Sequence, residues 1–323
     1  MAAPGTILVY VGLDLLGDGL IKLPFARALR NAFSKAHITW LAGKGGSVFA
    51  GPLAPLVEGL IDEVVKDAGV GSRVGQLLGD PLAGTALAGR RFDLVIDTQR
   101  RLLTTMILRR VPHGRLVTGA RPKPAAMIDQ LLALVEAASG LPAETAFELR
   151  LGAPLEAAAR ALLPEGPVYV GLAPGAGGRH KCWPLENYQA LAQRLAEGGR
   201  QAVILLGPAE AEWHEGLARA LPEARFPLQE AQSPDSLLTI ALAQRLAAAV
   251  ANDAGIGHML AAADCPLVSL FGPTPPTKFA PLVSRGEVIR AQDFGGDEMA
   301  AIPVDAVADA LEALLAEGSG RMP

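Results

Sequence analysis

The sequence predicts an α/β protein built of two doubly wound domains that face each other across a cleft. Strand-like apolar runs alternate with helix-like segments along the 323 residues, which is typical of parallel sheets with right-handed crossovers. Both halves open with an apolar strand and a glycine-containing turn, at Thr6–Gly12 and again at Val168–Ala173. A chain of this length is also long enough for two separate cores.

The first half begins with the continuous apolar run Thr6–Gly12, which has the pattern of a central parallel strand. Leu20–Phe33 has the apolar spacing of an amphipathic helix, and Pro24 must lie in its first turn or kink it. The remaining predicted strands are Ile38–Leu41, Ile61–Val65 and Phe92–Ile96. A helix after Asp97, a basic region and the helix Ala125–Ser139 complete this half.

A proline-rich stretch with one short Ala-rich helix, residues 141–167, predicts the inter-domain linker. We therefore place the domains at residues 1–160 and 161–302. The predicted strands of the second half are Val168–Ala173, Ala202–Leu206, Ala248–Asn252 and Leu267–Phe271. Its predicted helices are Leu185–Glu197, Ala209–Ala220, Ser233–Ala247 and Pro303–Ala316, with Ser233 and Pro234 as the start signal of the third.

Composition excludes several classes of protein. A formal net charge of −4 argues against a nucleic-acid binder that relies on bulk charge. Two isolated cysteines are too few for a disulfide framework or a Cys-rich metal site, and they favour a reducing compartment. No secretory signal pattern and no run of about 18 apolar residues is present, so we expect a cytoplasmic protein.

A glycine-rich turn, G-A-G-G-R-H-K, follows the strand that opens the second half. Gly175 and Gly177 allow a ligand to approach the backbone, and Lys181 supplies a cation at the end of a strand. A solvated basic turn explains these residues equally well. The turn departs from the P-loop pattern because Lys181 follows His180 and Cys182 replaces the magnesium-binding hydroxyl.

The stretch V-A-N-D-A-G-I-G-H, Val250–His258, lies between an apolar run and a small-residue helix. Asp253 is a suitable helix cap, and the first free N–H groups of a helix attract anions. An ordinary capped turn with a buried histidine is the alternative. Together with the glycine-rich turn, this stretch would form one anion pocket, and that combination favours a diphosphate.

Five segments make the chain resemble glycosyltransferase family 9, the bacterial lipopolysaccharide heptosyltransferases. They are Leu16–Arg30, Ala173–Tyr188, Val203–Glu212, Asn252–Ala263 and Pro266–Pro276, in the order and at the spacing of the family. The resemblance implies a GT-B fold of two Rossmann-like domains, with the acceptor held by the N-terminal one and the nucleotide sugar by the C-terminal one. It also implies that the last helix, about 303–317, packs back on the N-terminal domain.

The resemblance also implies roles for individual residues. Asp18 matches the general base, for which a helix N-cap is the structural alternative, and Lys181 matches the phosphate-binding lysine. The N–H groups of Ala254 and Gly255 would hold the same phosphates, while Asp253 would orient the turn or bind sugar hydroxyls. The remaining donor-binding candidates are His258, for which a packed core histidine is the alternative, and Glu210 or Glu212, either of which is placed to bind ribose hydroxyls.

The activity implied is inverting transfer of a sugar, most simply heptose from ADP-heptose, to a lipid-linked lipopolysaccharide-type acceptor, without a metal or another cofactor. Lys22, Arg121 and Lys123 are the acceptor-binding candidates, and a basic segment around them would suit an acidic glycan and a peripheral contact with the inner-membrane surface. Nucleic acid is not an expected partner.

Departures from the family pattern leave other functions open. Ala176 and Ala254 stand where many relatives have hydroxyl residues, which puts specificity for heptose in doubt. Transfer from another nucleotide sugar and a nucleotide-sugar epimerase are the alternatives within the fold, and a non-catalytic nucleotide- or glycan-binding protein is the alternative outside enzymes. An NAD-dependent oxidoreductase is disfavoured because neither opening strand is followed by a complete G-x-G-x-x-G.

Overall fold

The computed structural model describes residues 3–119, 126–146 and 149–319. The chain divides into two compact units, Met1–Arg150 and Leu151–Pro323. Each unit contains one five-stranded parallel sheet flanked by helices. The predicted α/β fold class is therefore confirmed.

The first unit has the strand order β3-β2-β1-β4-β5. Successive strands are added on one side of β1 up to β3 and on the other side from β4 onwards, so the topological switch point lies between β1 and β4. Its strands are β1 (Thr6–Val11), β2 (His37–Ala42), β3 (Glu63–Val65), β4 (Phe92–Asp97) and β5 (His113–Thr118). Its helices are α1 (Leu16–Ala32), α2 (Leu102–Leu108) and α3 (Met127–Ser139). Ile7–Val11 is fully buried because neighbours cover both faces of the central strand, which explains its unbroken apolar run.

Helix α1 starts at Leu16, four residues before the start predicted from apolar spacing. Pro24 consequently lies inside the helix, and placement in the first turn is wrong. Asp18 becomes the third helical residue rather than the cap, which is Leu15. Its carboxylate accepts the Leu15 N–H at 3.4 Å, so Asp18 still binds an unpaired donor of the first turn.

The second unit has the strand order β10-β9-β8-β6-β7, so its topological switch point lies between β6 and β8. Its strands are β6 (Tyr169–Ala173), β7 (Gln201–Ile204), β8 (Ala248–Asn252), β9 (Leu267–Phe271) and β10 (Gly286–Arg290). Its helices are α4 (Ala153–Leu162), α5 (Leu185–Glu197), α6 (His214–Ala220), α7 (Pro227–Glu230), α8 (Ser236–Ala243), α9 (Gly255–Ala262), α10 (Pro276–Phe279) and α11 (Val304–Ser319).

The ends of the second unit are fixed by packing within it. Helix α4 packs against α8, and Arg245 Nε donates to the Leu163 carbonyl at 2.6 Å, so residues just before 161 belong to this unit. Apolar residues of α11, including Val307, Leu311 and Leu314, lie in the core beside β8 and β9. Packing of α11 onto the first unit stays a prediction.

The start of α8 differs from the sequence prediction. Asp235, not Ser233, is the N-cap, and its Oδ1 accepts the Leu238 N–H at 2.7 Å. The carboxylate satisfies a backbone donor that the first turn of a helix leaves free. Ser233 lies before the helix, whose first residue is Ser236.

Candidate functional site

The site of interest in the second unit lies beyond the carboxyl ends of β6 and β8. These strands pair in parallel, with Ala173 opposite Ala251, so the segments that follow them leave the sheet side by side. One is the glycine-rich turn and the other is the start of α9. This is also where the strand order reverses, the usual ligand-binding position in open α/β sheets.

Lys181 and Asp253 join the two segments. Lys181 Nζ lies 2.8 Å from Asp253 Oδ2, and the lysine side chain is 28% exposed against 11% for the aspartate. Lys181 ends a short 3-10 turn, Arg179–Lys181, which aims its side chain towards the neighbouring strand. An ammonium that is partly open to solvent at a switch point suits an anionic ligand.

Asp253 does not cap α9, which corrects the sequence interpretation. The N-cap is Ala254, and no side chain caps the helix. The carboxylate of Asp253 binds Lys181 instead, because the fold brings a cation to it that local sequence does not reveal. The first turn of α9, beginning at Gly255, therefore presents backbone N–H groups with no side-chain cap, as an anion site requires.

Asn252 holds the two segments together, a role that the sequence did not reveal. It is 2% exposed. Its Nδ2 donates to the Pro174 carbonyl at 2.7 Å, and its Oδ1 accepts the Trp183 N–H at 3.2 Å. The Tyr188 hydroxyl lies 3.1 Å from the same Oδ1. One buried amide thus fixes the glycine-rich turn, the start of α5 and the end of β8.

Trp183 anchors the far end of the glycine-rich turn. Its ring is fully buried and lies edge-on to Tyr188, with 5.0 Å between the ring centroids. Its Nε1 donates to the Ile302 carbonyl at 2.9 Å, just before α11. Lys181 is therefore two residues from a rigid attachment to the core.

Glu210 and Glu212 have different surroundings. A Cβ on Gly175 would lie 2.6 Å from the Glu210 carboxyl carbon, so the glycine makes room for that side chain at the turn. Glu212 instead forms an ion pair with Arg179, whose guanidinium stacks 5.0 Å from the centre of the Trp213 ring. The geometry brings Glu210 against the backbone of the glycine-rich turn at Gly175, whereas Glu212 binds the side chain of Arg179 in the same turn.

Two further donor candidates can be placed. A Cβ on Gly177 would meet no atom within 4 Å, so the backbone there is open to a neighbouring group. His258 lies one turn into α9, where burial lowers the pKa of its imidazole and the nearby Asp253 carboxylate partly opposes that effect. This environment suits either a packed or a ligand-contacting histidine, and donor binding by His258 stays a prediction.

In the first unit, the loop after β1 lies at the other reversal of strand order. Asp18, partly exposed, stands at the start of α1 beyond this loop. Lys22, an acceptor-binding candidate, is only 6% exposed, and its ammonium pairs with the buried carboxylate of Asp14. Acceptor binding by Lys22 stays a prediction. Arg121 and Lys123, the other acceptor candidates, lie outside the described residues.

The described ranges contain neither a membrane-spanning helix nor a cluster of metal-ligating side chains. No helix within residues 3–119, 126–146 and 149–319 is long and apolar enough to cross a membrane. Over the same part of the chain, no three His, Cys, Asp or Glu side chains gather in a group suited to a metal ion.

Comparison with known proteins decides the family. The model of glycosyltransferase family 9 (heptosyltransferase) matches residues 83–299, about two thirds of the chain. The chain belongs to glycosyltransferase family 9. Membership agrees with the resemblance carried by the glycine-rich turn and by Asn252–His258, both of which lie in the matched range.

Family 9 relatives and solved structures agree with this assignment. Lipooligosaccharide heptosyltransferase 2 of Haemophilus influenzae is 38% identical over 134 residues, which are 40% of this chain and 38% of the relative. The aligned part therefore spans well under half of that relative.

The solved structure of a family 9 glycosyltransferase from Veillonella parvula is 19% identical, has a TM-score of 0.74 and covers 97% of this chain and 98% of its own. That of Escherichia coli ADP-heptose lipopolysaccharide heptosyltransferase II is 21% identical, has a TM-score of 0.68 and covers 97% and 99%. At these identities the structural matches show the fold, which is GT-B.

Proposed function

We propose that this chain is an inverting glycosyltransferase that transfers heptose from ADP-heptose to a lipid-linked, lipopolysaccharide core-type acceptor. The observation that carries the proposal is the Lys181–Asp253 pair at the β6/β8 switch point, beside the uncapped first turn of α9. Family membership supports sugar transfer, and the names of similar proteins support heptose as the sugar.

The donor's diphosphate would bind in the second unit. Lys181 would neutralise the charge that develops on the leaving diphosphate, and the N–H groups of Ala254 and Gly255 would bind its oxygens. Gly175 and Gly177 would let the phosphates approach the backbone. Glu210 would accept hydrogen bonds from the ribose hydroxyls, because its carboxylate lies against Gly175. The carboxylate of Glu212 is instead paired with Arg179.

The reaction would proceed by direct displacement. The Asp18 carboxylate takes the proton of the acceptor hydroxyl as that oxygen attacks the anomeric carbon. The bond between the anomeric carbon and the diphosphate oxygen breaks, and its electron pair leaves with ADP. Attack from the face opposite the leaving group inverts the anomeric centre. No step in this scheme requires a metal, and metal independence stays a prediction.

The acceptor would bind in the first unit through cations of its basic segment, with Arg121 and Lys123 as candidates. Lys22 is the weaker candidate because Asp14 already binds its ammonium inside the unit. A lipid-linked acceptor would place the enzyme at the cytoplasmic face of the inner membrane.

Two experiments with the full chain test the proposal. In a thermal-shift panel of ADP, UDP, GDP and their sugars, we expect ADP and ADP-heptose to raise the melting temperature most. With ADP-heptose and a Kdo-bearing lipid acceptor, we expect ADP release that requires the acceptor. A larger shift with UDP or GDP would indicate another donor, and binding without transfer or epimerisation would indicate a non-catalytic protein.

The Asp18→Ala variant tests the proposed base. We expect it to keep the ADP-induced thermal shift and to lose transfer by about 10²- to 10⁴-fold, the usual contribution of a positioned base. Asp129→Ala, which removes an exposed carboxylate from the first turn of α3, serves as the control and should transfer normally. Unchanged turnover in Asp18→Ala would end the assignment of this residue as the base.

A further inference from the structure

A buried ion pair lies next to the proposed base in the first unit. Asp14 is 2% exposed and binds the Lys22 ammonium through Oδ1. Its Oδ2 accepts hydrogen bonds from Trp40 Nε1 at 2.8 Å and from Ser47 Oγ at 3.0 Å. The carboxylate therefore has a partner on both oxygens, and the reaction scheme above uses neither member of the pair.

The position of Lys22 on α1 makes this pair relevant to Asp18. The two residues are four positions apart, so they lie on the same face of the helix, in the order that best favours an Asp–Lys ion pair. The ammonium nevertheless binds Asp14. Among the residues that the structure describes, the Asp18 carboxylate has one hydrogen bond, from the Leu15 N–H at 3.4 Å, and no ion pair.

An ion pair between Asp18 and Lys22 would impair a general base. A carboxylate next to a cation holds a proton less readily, and a weaker base accepts the acceptor proton less effectively in the transition state. We infer that Asp14 is a positioning residue that retains the Lys22 ammonium inside the unit and so keeps the Asp18 carboxylate available to the acceptor hydroxyl. The inference rests on the proposed role of Asp18.

The backbone of Asp14 is held independently of its charge. Its N–H donates to the Gly46 carbonyl at 3.1 Å, and its carbonyl accepts the Val48 N–H at 3.2 Å. An asparagine at this position can keep both bonds and can still accept from Trp40 and Ser47 through its amide oxygen. Asp14→Asn therefore removes the charge that binds Lys22 with little change in the hydrogen bonds of the loop.

Few charged groups lie on the 3-10 turns and the helix that pack against α1. The two 3-10 turns packed against it, Val48–Ala50 and Ala54–Val57, contain no ionisable residue. Helix α3, also packed against it, carries Asp129 and Glu136, both exposed. Lys44 lies in the turn that contacts Gly12. Lys22 is thus the cation on the same helix face as Asp18.

The test compares turnover in four forms of the full chain: wild type, Asp14→Asn, Lys22→Met and the double variant. We expect Asp14→Asn to lower kcat about tenfold. The acid limb of the rate profile should also move to lower pH, because a nearby cation lowers the pKa of a carboxylate by about 1 to 3. Adding Lys22→Met should restore most of kcat and bring the acid limb back to its wild-type pH, because the double variant lacks the ammonium that Asp14→Asn releases.

The control is Asp62→Asn, which removes a carboxylate bound to Arg30 near the other end of the same helix, with 2.6 Å between the charged atoms. It should leave kcat and the pH profile unchanged. A double variant as slow as Asp14→Asn, or an Asp14→Asn variant with normal turnover, would overturn the inference. A merely structural role for Asp14 predicts no recovery on removal of Lys22.

Two further comparisons keep the test decisive. If Asp14→Asn alone does not fold, Lys22→Met and the double variant decide: once the cation is gone, loss of the Asp14 charge should not lower kcat further, and a double variant slower than Lys22→Met contradicts the inference. Asp18→Ala separates this inference from the proposed function. Loss of transfer in Asp18→Ala together with no rescue in the double variant would refute only the role of Asp14.

Discussion

Lys181 Nζ and Asp253 Oδ2 are 2.8 Å apart, although 72 residues separate them in the sequence. The cation proposed to bind the donor's diphosphate is therefore already bound to an anion in the free protein. A diphosphate that enters this site gains the ammonium but meets the Asp253 carboxylate as a like charge. The affinity of the site is the balance of these two effects.

Lys181→Ala should weaken binding of ADP about ten- to a hundredfold, because a hydrogen bond to a charged group contributes about 1.5–3 kcal/mol. Isothermal titration calorimetry measures the change in Kd. Arg194→Ala is a suitable control, since it removes a cation from α5 that pairs with Asp305. Equal ADP affinity in wild type and Lys181→Ala would contradict the phosphate role.

Asp253→Asn should separate the two roles open to Asp253. Removing the carboxylate frees Lys181 and abolishes its repulsion of the diphosphate, so ADP should bind at least as tightly as in wild type. If Asp253 also binds the sugar's hydroxyls, the variant loses the extra affinity of the nucleotide sugar over ADP. The ratio of the two Kd values is the measurement, and an equal weakening of both ligands would indicate that Asp253 only orients the turn.

Asn252→Ala should lower the free energy of unfolding by about 3 kcal/mol, because it leaves the buried Pro174 carbonyl and Trp183 N–H without their partner. Tyr188→Phe removes one hydroxyl from the same network and should cost about 1 kcal/mol. Urea unfolding followed by circular dichroism gives both values. Similar losses in the two variants would show that the amide does not join the segments energetically.

His258 should make stability depend on pH. Burial holds the pKa of this imidazole below 6.5, so below that pH the unfolded chain binds a proton that the folded chain resists. Stability is therefore highest above pH 6.5 and falls as the pH is lowered towards the folded pKa. Melting temperatures of wild type and His258→Gln between about pH 8 and pH 5.5 test this. The melting temperature of the variant should fall less steeply as the pH is lowered. Parallel curves for the two proteins would contradict the role assigned to His258.

Continuous apolar runs made most of the fold predictable. β1 and β9 lie inside their sheets, and burial on both faces favours apolar residues along their length, interrupted in β9 by the buried Ser269. β5 and β10 were missed because each lies at the edge of its sheet and is only partly buried. Such strands carry polar residues, as in His113–Thr118, and resemble loops in sequence.

The candidate site was predictable as motifs but not as contacts. The sequence predicts a helix cap at Asp253 and an acceptor-binding cation at Lys22, since both interpretations leave distant partners out of account. The fold assigns each a distant or non-adjacent partner: Lys181 for Asp253, and Asp14, eight residues earlier, for Lys22. Asn252 likewise acquires its role from residues 64 to 78 positions away. Side-chain pairing depends on strand order, which residue spacing alone does not specify.

The distribution of the three tryptophans gives the protein an optical label in each unit. Trp40 is fully buried in the first unit and donates to Asp14, while Trp183 is fully buried in the second and lies beside Tyr188. Trp213 is half-buried, with Arg179 over its ring. Replacing two of the three tryptophans by Phe would leave one emitter and make the fluorescence of a single region readable. Unfolding near the proposed base and unfolding near the proposed donor site could then be followed as separate signals in the same intact chain.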